Sequence, residues 1–177
     1  MYGLVSYATI FDGDPAFALM AYDDLTTGIA TKDSTRIFYS IQGFLIATAN
    51  ISKIFWPQTT QYNQRGRDLK QLLGIDDNFP TKRTGARNHL EHFDDRLEIW
   101  YTQSPHHNIM DLSVGGTKSP VQGQIDFMRY FDKQKFTFKF RDDIFELIPL
   151  KAAITECLNK TNIELNRRLL GPRLFYM

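Results

Sequence analysis

Arg87, Asn88 and His92 are the residues of this chain whose types and spacing could do chemistry. An imidazole can move a proton near neutral pH. A guanidinium can hold a phosphate and stabilise charge developing on it, and an asparagine amide can orient both. These parts suffice for metal-independent RNA cleavage, in which the 2′-hydroxyl attacks its own phosphodiester. The plainer alternative is an Arg87–Glu91 ion pair four residues apart and a solvated histidine on a polar helix face.

The element that must position them is read from apolar spacing. Ala86, Leu90, Phe93, Leu97 and Trp100 recur at helical intervals, which predicts one helix beginning between Pro80 and Gly85 and ending near Gln103, ahead of Pro105. At about 100° per residue, Asn88, His92, Asp95 and Ile99 fall together opposite that stripe. Arg87, Glu91, Asp94 and Glu98 form a strip between the two. Ile99 is apolar on the polar side, so this face is expected to meet another helix or a second copy of the chain.

The flanking sequence predicts more helices. Asp14-Pro15 reads as an N-cap and first-turn proline of a helix to about Thr27, lined by Phe17, Met20, Ala21 and Leu25. Asp33 or Ser34 caps a long helix that Pro57 stops. Its apolar residues Ile37, Ile41, Phe44, Leu45, Thr48, Ile51 and Phe55 cover enough girth to be buried on more than one side. Arg67 to Leu73 form a short helix closed by Gly74. Ile109, Leu112 and Val114 suggest a short strand, residues 127–132 and 135–141 a hairpin, and Ile144 to Ile148 a third strand. Phe136, Phe138 and Phe140 alternate with polar residues at the period of a half-buried sheet. Pro149 opens a last helix whose stripe is Leu150, Ile154, Cys157, Leu158, Leu165 and Leu169. The expected fold is mainly α, a single domain over residues 1–177 with a small antiparallel β insert at about 109–148.

A chain of 177 residues with 42% hydrophobic and 14% aromatic residues has the composition of a globular domain. One cysteine excludes an internal disulfide and fits a reducing compartment. The apolar run from Ile37 to Trp56 is too polar for a membrane span, and no signal peptide is evident. A soluble, cytoplasmic protein is expected. Net charge of +1 argues for no partner by itself. Two basic stretches could neutralise phosphates if each shares a face. The first is Arg65, Arg67, Lys70, Lys82, Arg83 and Arg87; the second is Lys118, Arg129, Lys133, Lys135, Lys139 and Arg141.

ArgAsnHisLeuGluHis at 87–92 resembles the motif of the HEPN superfamily: an arginine, a polar residue, a short spacer and a histidine, carried by an α-helical bundle. AsnHisLeuGluHisPheAspAspArgLeu and the long-helix segment 38–57 are similar to uncharacterised bacterial proteins related to it. The resemblance covers about a fifth of the chain. It implies a HEPN-like helical bundle, a homodimer with two motifs facing across a cleft, and often an RNA-cutting toxin neutralised by an antitoxin. Arg87 would then polarise the scissile phosphate, Asn88 would orient it, and His92 would transfer a proton. Lys82, Arg83, Glu91 and Asp95 are the neighbouring groups assigned to the substrate. No metal and no cofactor are expected.

Two other readings stay open. The same face could belong to a non-catalytic dimeric module that binds a protein or a nucleic acid. Alternatively, the four histidines, His89, His92, His106 and His107, lie close enough in sequence to form a metal site with Glu91 or Asp95. His89 lies toward the buried stripe and His92 away from it, which speaks against that site.

Overall fold

The fold is described from a computed structural model covering residues 13–83, 89, 92–105, 107–115 and 125–170, without the side chains of Arg83 and residues 168–170. Among these residues are five α-helices and six short strands. The helices are α1 (Gly13–Thr31), α2 (Ser34–Phe55), α3 (Asn63–Leu73), α4 (Phe93–Gln103) and α5 (Leu147–Leu170). None of the described helices is long and apolar enough to cross a membrane.

Helix α2 forms the centre. Asp33 caps it, its side chain accepting a hydrogen bond from the Arg36 amide at 3.0 Å. Ile37, Ile41, Phe44, Leu45, Thr48, Ile51 and Phe55 are all buried, as the girth of the apolar face predicts, and so are Phe38 and Ala47 on the flanks. Thr48 satisfies its hydroxyl on the Phe44 carbonyl at 2.7 Å. Helix α1 runs back along α2, turned differently from the expectation. Ala18, Tyr22, Leu25 and Ile29 face the core, whereas Phe17 and Met20 are exposed. Both faces have helical spacing. Tyr22 decides between them, because its ring packs edge-on to Phe44 and beside Phe136 in the turn between two sheet strands.

Helix α3 ends at Gly74, whose φ of +59° is the left-handed cap expected there. The last helix begins at Leu147, two residues before the expected Pro149, which its first turn tolerates. Leu150, Ile154 and Cys157 are buried against the core.

Strands β2 (Ser113–Gly115), β4 (Arg129–Asp132), β5 (Thr137–Phe140) and β6 (Asp143–Glu146) make a sheet in that order. β4, β5 and β6 are antiparallel as expected, but β2 runs parallel to β4. A parallel pair, β1 (Ile109–Met110) with β3 (Asp126–Phe127), stands apart. The insert is therefore mixed, not antiparallel. Phe131, Phe138 and Phe145 line up across the sheet in register, and so do Arg129, Phe140 and Asp143. Cross-strand partners share a face. That face carries four buried phenylalanines against the helices, with Phe38 meeting Phe138 at 6.4 Å. Phe136 belongs to the turn before β5, with φ of +53°, so the predicted row of three contributes two strand residues.

The largest departure concerns the stretch around His92. It is not one continuous helix: α4 starts at Phe93, and His92 precedes it with φ −113° and ψ 40°, outside helical geometry. Asp94 and Asp95 fill the new first turn, where the helix dipole favours acidic groups. Apolar periodicity does not register such a break, because the spacing of Ala86, Leu90, Phe93, Leu97 and Trp100 runs through it without interruption. Along α4, Phe93 is partly buried and Trp100 is buried, but Leu97 is 42% exposed.

Candidate functional site

His92 is held between two anchors that grip the same ring. Three residues before it, His89 stacks on Phe140 with centroids 4.8 Å apart, and its Nε2 meets Asp143 Oδ2 at 2.6 Å. The residue after it, Phe93, packs edge-on to Phe140 at 6.3 Å. The Arg129 guanidinium lies over the Phe93 ring, 4.7 Å from its centre, and is fixed by a two-pronged pair with Asp111. Because Arg129, Phe140 and Asp143 form one cross-strand row, the end of the sheet acts as a single mount for the chain on both sides of His92.

The mount leaves His92 presented to solvent, its side chain 57% exposed. Its Nδ1 lies 3.9 Å from Asp95 Oδ2, too long for a hydrogen bond but close enough to orient the ring electrostatically. Together with Arg96, Glu98 and Ile99 these two residues line an open groove of about 380 Å³. One wall therefore offers a proton-transfer group, a guanidinium and two carboxylates, with an apolar residue at the end. Ile99 lies on this face as the sequence suggests, 36% exposed.

Of the residues expected at a site, His92 and Asp95 come together here. Arg87, Asn88 and Glu91 lie outside the described residues, as does the side chain of Arg83. Lys82 does not line this groove. Its ammonium is 3.5 Å from Asp77 and 5.9 Å from the centre of the Trp56 ring. Arg96 was missed by sequence reasoning. It lies four residues after His92, the spacing that makes helical neighbours, and its amide donates to the His92 carbonyl at 3.1 Å. The anchoring role of His89 had a weaker signal, its position toward the buried stripe. The basic stretch 118–141 does not act as one face. Arg129 is bound to Asp111 on the core side, and Lys139 alternates to the opposite side of β5.

His89 and His92 have separate partners, Asp143 and Asp95. His107 is tilted against Tyr101 at 6.4 Å, and His106 lies outside the described residues. Among the described residues no three His, Cys, Asp or Glu side chains are grouped so as to hold a metal ion. Cys157 is core, and burial pushes its thiol up to about 12.

A second cleft, of about 240 Å³, lies between α1 and α2 and is lined by Phe17, Met20, Ala21, Tyr39, Ser40 and Gly43 among others. Phe17, Met20 and Tyr39 are each more than 60% exposed, so the cleft is a largely apolar surface feature. Comparisons of the chain with protein-family models, with curated proteins and with solved structures return no match in any of the three.

Proposed function

We propose that the chain is a metal-independent endoribonuclease with a HEPN-like helical architecture, acting as a homodimer, and that His92 is its proton-transfer group. The observation that carries this reading is the exposed imidazole of His92 in a groove with Asp95 and Arg96, on a segment pinned at both sides. Held there, the imidazole takes the proton from a 2′-hydroxyl as its oxygen bonds to the adjacent phosphorus. The bond to the 5′-oxygen breaks, that oxygen takes up a proton from water, and the imidazolium returns its proton to solvent. The products are a 2′,3′-cyclic phosphate and a 5′-hydroxyl. Arg96, with Arg87 from the preceding segment, offsets negative charge on the phosphoryl oxygens, and Asp95 orients the imidazole.

The test is purified protein incubated with total RNA in EDTA. Cleavage giving cyclic-phosphate ends and lost in His92→Ala supports the enzyme. RNA left intact, or cut equally by the variant, favours a non-catalytic dimeric binding module. That second reading has its own support in the apolar cleft of Phe17, Met20 and Tyr39, which suits association with another helical surface.

A further inference from the structure

Three donors converge on one oxygen at the surface beside α3. Asp77 Oδ1 lies 2.7 Å from Lys70 Nζ, 2.8 Å from the Trp56 indole Nε1 and 3.5 Å from Lys82 Nζ. Both ammonium groups also sit over the Trp56 ring, at 5.4 and 5.9 Å from its centre. We propose that Lys70, Lys82 and the Trp56 N–H form a phosphodiester-binding site for a single RNA strand, in which the Asp77 carboxylate is an internal surrogate for the phosphate.

The donors that suit a carboxylate oxygen also suit a non-bridging phosphate oxygen. Two ammonium groups face one carboxylate, so the cluster keeps an excess of positive charge. Residues 53–82 repeat that imbalance, with five Lys and Arg against three Asp and no Glu. Asp77 is the displaceable member. Its side chain is 63% exposed on a turn that is held independently, the Asn78 amide donating to Asp76 Oδ1 at 2.8 Å. The donors are fixed. Lys70 is only 19% exposed, and α3 sits so close to the end of α2 that a Cβ at Gly66 would come within 2.8 Å of Pro57 Cδ. Trp56 closes α2, its amide donating to the Ser52 carbonyl at 2.8 Å. In the first turn of α3, Arg65 lies over the Tyr62 ring at 5.4 Å, a second pairing of cation and aromatic ring of the kind single strands bind. Ten residues separate Lys82 from His92, no more than about 36 Å of extended chain, so one strand can reach both.

The site rests on RNA as substrate but is tested apart from cleavage. The probe is a short, fluorescently labelled 2′-O-methyl oligoribonucleotide, which lacks the attacking hydroxyl, read by anisotropy across a salt series. Lys70→Ala and Lys82→Ala should each weaken binding and lower the slope of log K against log salt by about one. Asp77→Asn should bind several-fold tighter at low salt, because it removes the internal competitor. Circular dichroism confirms that each variant is folded. An Asp77→Asn protein that binds equally or more weakly overturns the proposal, as do unchanged salt slopes in both lysine variants. A parent that binds anionic vesicles and not the oligonucleotide also overturns it. Binding that follows the expected pattern without any RNA cleavage keeps this site and sinks the nuclease. Cleavage with lysine variants that bind like the parent does the reverse.

Discussion

His89 and His92 are three residues apart and have opposite fates. The first is 12% exposed, stacked on Phe140 and tied to Asp143, and its Nδ1 is buried without a partner among the described residues. The second is 57% exposed over an open groove, with the Asp95 carboxylate 3.9 Å away. A histidine whose one nitrogen is bonded and whose other is enclosed cannot exchange protons with a substrate; it holds the chain in place. A histidine with an exposed ring can exchange protons, but only if something else holds it. In this molecule the first supplies the fixity that the second needs.

Phe140 is the test of that division with the largest effect. It is 1% exposed and touches both anchors. Phe140→Ala should cost about 3–5 kcal/mol in urea unfolding, the usual range for emptying such a site. A loss below about 1 kcal/mol would mean that the ring does not hold His89 and Phe93. The histidines themselves come next. His89→Ala should cost about 2 kcal/mol through lost ring packing and the Asp143 bond, with part of any RNA cleavage retained. His92→Ala should leave stability within about 0.5 kcal/mol while lowering cleavage by about 10²- to 10⁴-fold. If the two variants exchange these behaviours, the roles assigned here are reversed.

These contrasts also mark what the sequence makes legible. The buried face of α2, its Asp33 cap and its Pro57 stop could be read because local chemistry and long-range burial agree over more than twenty residues. The Gly74 cap was legible for the same reason. The break at His92 was not, since the apolar spacing from Ala86 to Trp100 runs through it without interruption. Nothing local reports that Phe140, some fifty residues later in the chain, is the ring both anchors need. The same blindness placed Phe17 and Met20 inside. Two helical faces of α1 were available, and the choice depended on Tyr22 finding Phe44 and Phe136. Of the candidate site, His92 and Asp95 were visible as a polar pair, and the four-residue spacing of His92 and Arg96 was an available signal for the third member.

Cys157 extends the contrast to a third group that is built in. Fully buried, with its thiol pushed up to about 12, it should resist a thiol reagent at pH 8 in the folded protein and react once urea unfolds the chain. Because the folded value is raised, its stabilising effect is complete below the unfolded thiol value of about 8.5 and is lost as pH climbs toward 12. Labelling under native conditions, at a rate near that of the unfolded chain, would place the thiol at the surface and break the parallel with His89.

Asp77 extends the contrast the other way, to a presented group whose interactions are real but small. The hydrogen bond from Lys70, followed by that from Trp56, holds its carboxyl well below the usual carboxylate range. A lowered folded value means that Asp77 contributes its full stabilisation above the unfolded value of about 3.9, and that the contribution fades as pH falls through the acid range beneath it. Asp77→Asn should therefore be slightly less stable than the parent at pH 7, and the gap should narrow in urea titrations run below pH 4. Exposure and salt screening keep this the smallest effect predicted here. A gap of constant size from pH 7 to pH 3 would mean that charge is not what binds Asp77 to its lysines. The same result would remove the reason to regard its carboxylate as standing where a phosphate can sit.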